Sequence, residues 1–149
     1  MEMTLVLLKP DCHEKQLVGE VIGRFERSGL RICACKTFRF TPELLRIHYA
    51  HVVHLPVYPQ LAAYMQSAPV IALALQGDQC VARVREMVGP TDSRKAPKGT
   101  IRGDLGEDGM QNVVHASDSV ANAQIELRRF FQGDDLVVDR MAFAPANRP

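Results

Sequence analysis

The chain has 149 residues, of which 46% are hydrophobic and 23% charged, and its net charge is +1 at neutral pH. This length fits a single domain with a hydrophobic core, which we expect to cover residues 1–149. The small net charge argues against a generally basic nucleic-acid-binding protein. The N-terminal apolar run is too short for a signal peptide, and no stretch approaches the roughly 20 apolar residues that span a membrane. We therefore expect a cytoplasmic protein without a membrane partner.

Apolar spacing in the first half of the chain predicts alternating strands and helices. Apolar residues recur at helical spacing from Leu17 to Phe25. Residues 30–40 alternate between apolar and polar side chains, as in a strand with one buried face. Thr41 can cap a helix that has Pro42 at its first position. The elements predicted in this half are strands at 4–8 and 30–40 and helices at 17–25, 41–53 and 60–66.

One strongly apolar strand pattern stands out in the second half. The stretch "PVIALALQG" at 69–77 is almost continuously apolar, which predicts a central strand covered on both faces. Helical spacing follows at 79–88 and at 119–131, and residues 136–143 are predicted as a late strand. The predicted order is β-α-β-α-α-β-α-loop-α-β, which resembles a β-α-β-β-α-β core with added helices.

The four cysteines do not form a recognisable metal or redox motif. They are Cys12, Cys33, Cys35 and Cys80, and no two have the C-x-x-C spacing. Cys33 and Cys35 are two residues apart in a predicted strand and should lie on the same face, where a bridge between them is unfavourable. We expect reduced thiols, as in a cytosolic protein.

The connection at 89–114 is too long and too basic for an ordinary loop. It has five glycines and two prolines, and six basic residues fall between Arg83 and Arg102. Loops longer than about 12–15 residues in compact domains are usually functional or disordered. Clustered cations on a glycine-rich segment favour a polyphosphate ligand. The alternative is a solvated basic loop, and neither common glycine-rich phosphate motif is present.

Two groups of histidines call for different interpretations. His48, His51 and His54 are three residues apart on a predicted helix, so they fan around its axis and form a poor metal triad. We expect them at the surface or at the edge of the core. His115 follows two valines and precedes a helix that contains Glu126, whose carboxylate could orient the imidazole. Alone, such a histidine is more often structural than catalytic.

Seven fragments in order resemble the nucleoside diphosphate kinase family over about residues 3–135. The histidine motif "NVVHASDS" is the most telling of them. The fragments are "LLKPD" at 7–11, "LVGEVIGRFERSGL" at 17–30, "HY" at 48–49, "APV" at 68–70, "VREMVGPTD" at 84–92, "KGTIRGD" at 98–104 and "NVVHASDS" at 112–119. The resemblance implies a ferredoxin-like α+β sandwich with an antiparallel four-stranded sheet. It also implies transfer of the γ-phosphoryl group of a nucleoside triphosphate to a nucleoside diphosphate through a phosphohistidine.

Site residues carry over from the family by position. His115 would be the nucleophile, Glu126 would bond the imidazole nitrogen that does not attack, and Ser117 would lie behind them. Lys9 would serve both catalysis and nucleotide binding. The other nucleotide-binding residues would be Tyr49, Val57, Leu61, Arg85, Thr91, Arg102 and Asn112. Mg²⁺ would arrive on the nucleotide without a direct protein ligand, Asp118 reaching it at most through water. The family also implies a homo-oligomer, a hexamer or a tetramer.

These residue types suit phosphoryl transfer. The transferred group spreads negative charge over three oxygens, so catalysis consists mainly of positioning and electrostatic stabilisation. Lysine and arginine supply fixed cations, and neutral imidazole is a nucleophile near pH 7. A carboxylate partner fixes the tautomer that leaves the attacking nitrogen a free lone pair.

The sequence departs from the family pattern mainly where the base would lie. Val57 occupies the position of an aromatic residue, and Leu55 replaces an arginine. Met110 and Gln111 replace a glycine and an arginine, and Ala116 replaces a glycine. Two alternatives to the kinase therefore stay open: a nucleotide-binding regulatory homologue with weakened transfer, and a phosphohistidine donor to proteins.

Overall fold

The computed structural model describes residues 1–137, which contain four strands, seven α-helices and two short 3₁₀ helices, Ser93–Lys95 and Gly133–Asp135. The strands are β1 (Glu2–Leu8), β2 (Arg31–Phe38), β3 (Val70–Gly77) and β4 (Val114–Ala116). The helices are α1 (Pro10–Glu14), α2 (Val18–Arg27), α3 (Pro42–His48), α4 (Tyr58–Met65), α5 (Cys80–Val88), α6 (Ile101–Leu105) and α7 (Val120–Phe130). None of these helices is long and apolar enough to cross a membrane.

The strands form one antiparallel sheet in the order β2-β3-β1-β4. With α2 between β1 and β2 and α5 between β3 and β4, the order is β-α-β-β-α-β, the ferredoxin-like arrangement that the sequence predicts. The interior strands β1 and β3 are buried on both faces over most of their length. This confirms the prediction of a central strand from the continuous apolar run in β3.

Each face of the sheet carries its own apolar layer. On one face, Val6 and Leu8 of β1 pack with Val21 and Phe25 of α2 and with the apolar side of α5. On the other face, alternate residues of β1 pack with α3, α4 and α7. The layer that contains α7 also covers the side of the sheet on which the candidate site lies.

A bulge in β2 overturns the predicted placement of two cysteines. The pairing of β2 with β3 shifts register between Ile32 and Ala34, so Cys33 is an extra residue in the strand. A bulge breaks the strict alternation of side chains. Cys33 is buried and Cys35 exposed, and the prediction that they share a face was wrong. All four cysteines are free thiols.

Several predicted boundaries were also wrong. Thr41 caps the helix that follows it as expected, because the Thr41 hydroxyl accepts a hydrogen bond from the Leu44 N–H at 3.1 Å. The helix ends at His48, however, and not near Val53. Val53 lies in the turns that follow this helix, and its apolar side chain is 37% exposed. The segment 89–114 is not one open loop, because it contains α6.

The fourth strand precedes the last helix, whereas the sequence pattern placed it after that helix. β4 is only three residues long, too short to show alternation, and its pairing with β1 defines it. Of the late strand predicted at 136–143, Leu136 and Val137 are not in a strand. The remainder of that prediction lies outside the described residues.

Candidate active site

Three neighbouring elements bring the candidate catalytic residues together. Lys9 directly follows β1, His115 lies in β4, and Glu126 lies in α7. In the β1–β4 pair, His115 is opposite Leu7, and directly opposed residues of antiparallel strands share a face. Leu7 belongs to the apolar layer that α7 covers, so the His115 side chain is directed toward α7.

The imidazole of His115 is held by a single carboxylate. Its Nε2 lies 2.5 Å from Oε2 of Glu126, and both side chains are mostly buried, at 25% and 12% exposure. In the neutral ring, Nε2 carries the proton and donates it in this hydrogen bond to the carboxylate oxygen. Nδ1 therefore keeps its lone pair, which makes it the nucleophilic nitrogen of this site.

Lys9 is a buried cation whose hydrogen-bond partners are neutral. Its Nζ donates to the carbonyl oxygen of Met110 at 2.6 Å and to Oδ1 of Asn112 at 2.7 Å. Burial lowers the Lys9 pKa to about 8, an effect that the charge of Asp11 opposes. The Asn112 amide in turn donates to the carbonyl oxygens of Thr91 and Gly109, which fixes the acceptor that faces Lys9.

Arg102 is a second buried cation with neutral hydrogen-bond partners. Its guanidinium donates to the carbonyl oxygens of Asn112 at 3.3 Å, Gly89 at 3.0 Å and Val114 at 2.7 Å. Burial, with the nearby charge of Arg85, lowers the Arg102 pKa to about 10. Within residues 1–137, none of Lys9, Arg85 and Arg102 forms an ion pair with a carboxylate. Their positive charge is therefore available to an anionic ligand.

These groups face a cleft of about 820 Å³. The predicted site residues that line it are Lys9, Tyr49, Val57, Leu61, Arg85, Thr91, Arg102, Asn112, His115, Asp118 and Glu126. The structure brings all of these together. Ser117 is the exception, because it is fully buried and does not line the cleft. Its hydroxyl has no hydrogen-bond partner among the described residues, so neither His115 nor Glu126 bonds to it.

The outer wall of the cleft is apolar and exposed. Val57 precedes α4 and is 44% exposed, and Leu61 lies one turn further along that helix. Ile47 of α3 and Ile125 of α7 also line the cleft and are more than half exposed. The opposite side, which we call the inner wall, contains Lys9, Arg102 and His115 and is polar where the outer wall is apolar.

His48, which the sequence placed at the surface or the edge of the core without a role in the site, is buried and lines the cleft. Its ring is buried and meets the His115 ring edge-on, with centroids 4.7 Å apart. Burial, with the nearby positive charge of Arg129, lowers the His48 pKa to about 2, so the ring stays neutral. Its Nδ1 accepts from Nη1 of Arg129 at 3.0 Å. The "HY" fragment in the sequence contains His48, but the family resemblance gave a site role only to Tyr49.

The cluster of His48, His115 and Glu126 also has the composition of a metal site. One ligand atom from each lies within 4.8 Å of the others. A metal ion there would have to displace the bond between His115 and Glu126, and the Arg129 guanidinium adds a positive charge beside His48. The geometry therefore favours a hydrogen-bonded cluster around a nucleophile over a resident metal ion. Within residues 1–137, the ligand atoms of His48, His51 and His54 do not come together closely enough to share a metal ion.

Comparison with known proteins gives one consistent result. The family model described as nucleoside diphosphate kinase matches residues 2–136. A nucleoside diphosphate kinase of Rhodopirellula baltica is 45% identical over 148 residues, which is 99% of this chain and 97% of that protein. One of Staphylothermus marinus is 48% identical over 136 residues, 91% of this chain and 96% of that protein.

Solved structures agree with this sequence similarity. The nucleoside diphosphate kinase of Halobacterium salinarum in complex with CDP superposes with a TM-score of 0.90 at 37% identity, covering 93% of each chain. The enzyme of Aquifex aeolicus superposes with a TM-score of 0.86 at 42% identity, covering 91% of this chain and 99% of its own.

Proposed function

The chain belongs to the nucleoside diphosphate kinase family, whose members move the γ-phosphoryl group of a nucleoside triphosphate to a nucleoside diphosphate, and we propose that His115 carries the group between the two nucleotides. The observation that supports this role is the orientation of the imidazole. Glu126 holds Nε2, and Nδ1 is left with a lone pair in a cleft that three cations also line. Within residues 1–137 these cations, Lys9, Arg85 and Arg102, have no carboxylate partner. A site that only bound nucleotide would have no need for an oriented nucleophile.

The reaction has two half-steps that use the same groups. In the first, the Nδ1 lone pair attacks the γ-phosphorus, and the bond from phosphorus to the β–γ bridging oxygen breaks with its electron pair leaving on the diphosphate. In the second, a terminal oxygen of another nucleoside diphosphate attacks the same phosphorus, and the N–P bond electrons return to Nδ1. Glu126 stabilises the positive charge that the ring acquires between these steps.

The buried cations stabilise the charge that develops on the transferred group. Lys9 and Arg102 are fixed by neutral acceptors, so they need no rearrangement at the moment of transfer. Arg85 approaches from α5, and its one side-chain hydrogen bond among residues 1–137 is a 3.5 Å contact to the Ala116 carbonyl oxygen, which leaves most of its donors for phosphate. Thr91 and Asn112 would complete the inner wall, and Tyr49 would extend it toward the ribose of a bound nucleotide.

The residues present fit a Mg²⁺ ion that arrives with the nucleotide. Asp118 and Glu126 are the carboxylates among the described residues that line the cleft, and Glu126 is occupied by His115. Asp118 is exposed and bonds Asn122 at 2.6 Å, and that bond lowers its pKa, so it is ionised at neutral pH. Mg²⁺ usually keeps several waters and takes one or two carboxylates plus substrate phosphates. It would neutralise phosphate charge, with Asp118 contacting it through water.

The apolar outer wall fits a base held with little selectivity. Val57 and Leu61 offer contact area and no hydrogen-bonding group, so they cannot distinguish the edges of different bases. We therefore propose that nucleotides of several bases serve as donor and acceptor. The homo-oligomer, the cytoplasmic location and a single domain over the whole chain stay predictions, and light scattering of the purified protein tests the first.

Initial-rate kinetics test the carrier role of His115. Varying donor and acceptor nucleotides together should give parallel double-reciprocal lines, because the first product leaves before the second substrate binds. Intersecting lines would show direct transfer between two bound nucleotides and would overturn the proposal. A regulatory homologue with weakened transfer would bind nucleotide but show a rate close to that of the His115→Ala variant.

A further inference from the structure

The chain enters the catalytic strand through an unfavourable turn. Val113 has a φ of +74°, in the left-handed region that β-branched residues rarely adopt. The Val114 N–H donates to the Asn112 carbonyl oxygen at 2.8 Å, which closes a three-residue turn with Val113 at its centre. A γ-turn of this hand is rare and strained. His115 lies two residues beyond this turn.

Strained backbone persists only where its surroundings restrain it. Two hydrogen bonds with the segment that follows β1 restrain Val113. Its N–H donates to Oδ2 of Asp11 at 3.1 Å, and its carbonyl oxygen accepts from the Lys9 N–H at 2.8 Å. Asp11 is itself buried, and its other carboxylate oxygen accepts from the hydroxyl of Tyr64 in α4. The Asp11 carboxylate is thus fixed on one side and restrains the turn on the other.

We propose that Asp11 is a positioning residue for the phosphoryl-transfer reaction, whose carboxylate holds Val113 in its left-handed turn and thereby sets the direction of the His115 imidazole. This inference rests on the proposed role of His115 as the carrier. Asp11 does not line the cleft, so it acts through Val113 and touches neither nucleotide nor phosphate. A small displacement of a reacting group can cost as much as about 10²-fold in rate.

A different role for Asp11 has to be separated from this one. Its negative charge raises the Lys9 pKa against the effect of burial. If charge were the only contribution, Asp11→Asn would be as harmful as Asp11→Ala. If the hydrogen bonds matter, Asp11→Asn should retain most of the rate. Its amide oxygen can accept from the Val113 N–H, and its amide NH₂ can donate to the Tyr64 oxygen.

The test is a double-mutant cycle between Asp11→Ala and Val113→Gly. Glycine adopts positive φ without steric cost, so the turn needs no restraint in that background. The rate of His115 phosphorylation by saturating ATP is measured in single-turnover experiments, with ADP affinity and melting temperature recorded for each variant. Asp11→Ala alone should slow phosphorylation by roughly 10- to 100-fold with ADP affinity changed less than about threefold. In the Val113→Gly background, Asp11→Ala should slow phosphorylation less than about threefold.

Three results would overturn the inference. They are an equal slowing by Asp11→Ala in both backgrounds, a loss of ADP affinity in place of rate, and an Asp11→Asn variant as slow as Asp11→Ala. If Asp11→Ala does not fold, Tyr64→Phe replaces it in the cycle, because it frees the Asp11 carboxylate while keeping the ring. Tyr64→Phe should then slow phosphorylation several-fold, and equally large slowing in both backgrounds would again count against the restraint. If ATP does not phosphorylate His115 of the wild-type protein, the carrier role itself is contradicted. This result is distinct from a failure of the double-mutant cycle, which requires a wild type that is phosphorylated.

Discussion

The inner and outer walls of the cleft are built in opposite ways. On the inner wall, Lys9, Arg102 and His115 are mostly buried, and each is fixed by hydrogen bonds to a neighbouring strand, loop or helix. On the outer wall, Val57 and Leu61 offer apolar surface and no polar contact. The inner wall is arranged before the nucleotide arrives, whereas the outer wall only gains contact when a base covers it.

This difference shows where selectivity and rate come from. Preorganised donors lower the barrier because they need no rearrangement in the transition state. Apolar contact adds affinity in proportion to the area covered but does not read hydrogen-bonding groups. A kinase that acts on several nucleotides needs this combination. Substitutions on the inner wall should therefore affect rate strongly, and those on the outer wall should affect affinity weakly.

Arg102→Gln should give the largest loss among the residues that do not react. It removes a buried cation, and we expect the transfer rate to fall by roughly 10²–10³-fold. Arg102→Lys keeps the charge but cannot reproduce the three carbonyl contacts, and it should still lose about tenfold. Steady-state kinetics measure both, with Arg128→Gln on the exposed side of α7 as the matched control. A loss below threefold for Arg102→Gln would remove the distinction between the walls.

Glu126 should contribute through the tautomer and through its charge, which two variants separate. Glu126→Gln can still accept from Nε2–H, so it loses only the charge, and we expect about a tenfold lower rate. Glu126→Ala also frees the tautomer and should lose about 100-fold. Rapid-quench measurement of His115 phosphorylation provides the rates. Equal rates for the two variants would show that the tautomer is not set by Glu126.

Lys9 should make nucleotide binding depend on pH. Its pKa is lowered to about 8 in the free protein, and bound phosphates favour its charged form, so binding above this pH takes up a proton. ADP affinity should be about tenfold weaker at pH 9 than at pH 7. In Lys9→Arg, whose charge persists, this dependence should disappear. Titration calorimetry in buffers of different ionisation enthalpy measures the proton, and pH-independent binding by the wild type would contradict the assignment.

The same shift fixes the direction of the stability change. The folded-state pKa of Lys9 lies below the ordinary value of 10.5, so the unfolded chain binds more protons between about pH 8 and 10.5. For this group alone, the free protein should gain stability as pH rises through that window. Chemical denaturation of wild type and Lys9→Arg, compared at each pH, isolates the contribution.

Val57→Phe should give the smallest effect and the opposite sign. An aromatic ring at the outer wall can stack on a base, and a gain of about 1 kcal/mol corresponds to about fivefold tighter binding. The transfer rate at saturating nucleotide should stay within about twofold. Val53→Phe, on an exposed position outside the cleft, is the control. Unchanged affinity would show that the base does not cover Val57.

Much of the fold follows from local patterns, and the exceptions have physical causes. The long buried run of β3 and the capped start of α3 predict their elements well. β4 has three residues and depends on pairing with β1, a contact more than 100 residues away in sequence. The bulge at Cys33 similarly depends on the register with β3. Such features arise from tertiary pairing, which a single local pattern does not contain.

The site divides in the same way. Order and spacing of motifs were enough to name His115, Glu126 and Lys9, and the cleft contains all three. Three features follow only from the three-dimensional arrangement. They are the free nitrogen of His115, the neutral partners of Lys9 and the left-handed turn at Val113. The prediction for Ser117 found no support in its hydrogen bonding, because its buried hydroxyl has no partner among residues 1–137.

Labelling with ATP that carries radioactive phosphate at the γ-position tests the central claim most directly. Wild-type protein should acquire label that is labile in acid and stable in alkali, as expected for a nitrogen–phosphorus bond on histidine. Added nucleoside diphosphate should discharge that label into the corresponding triphosphate, and His115→Ala should take none. Unlabelled wild type, or His115→Ala that labels as fully as the wild type, would contradict the role of His115 as the phosphoryl carrier.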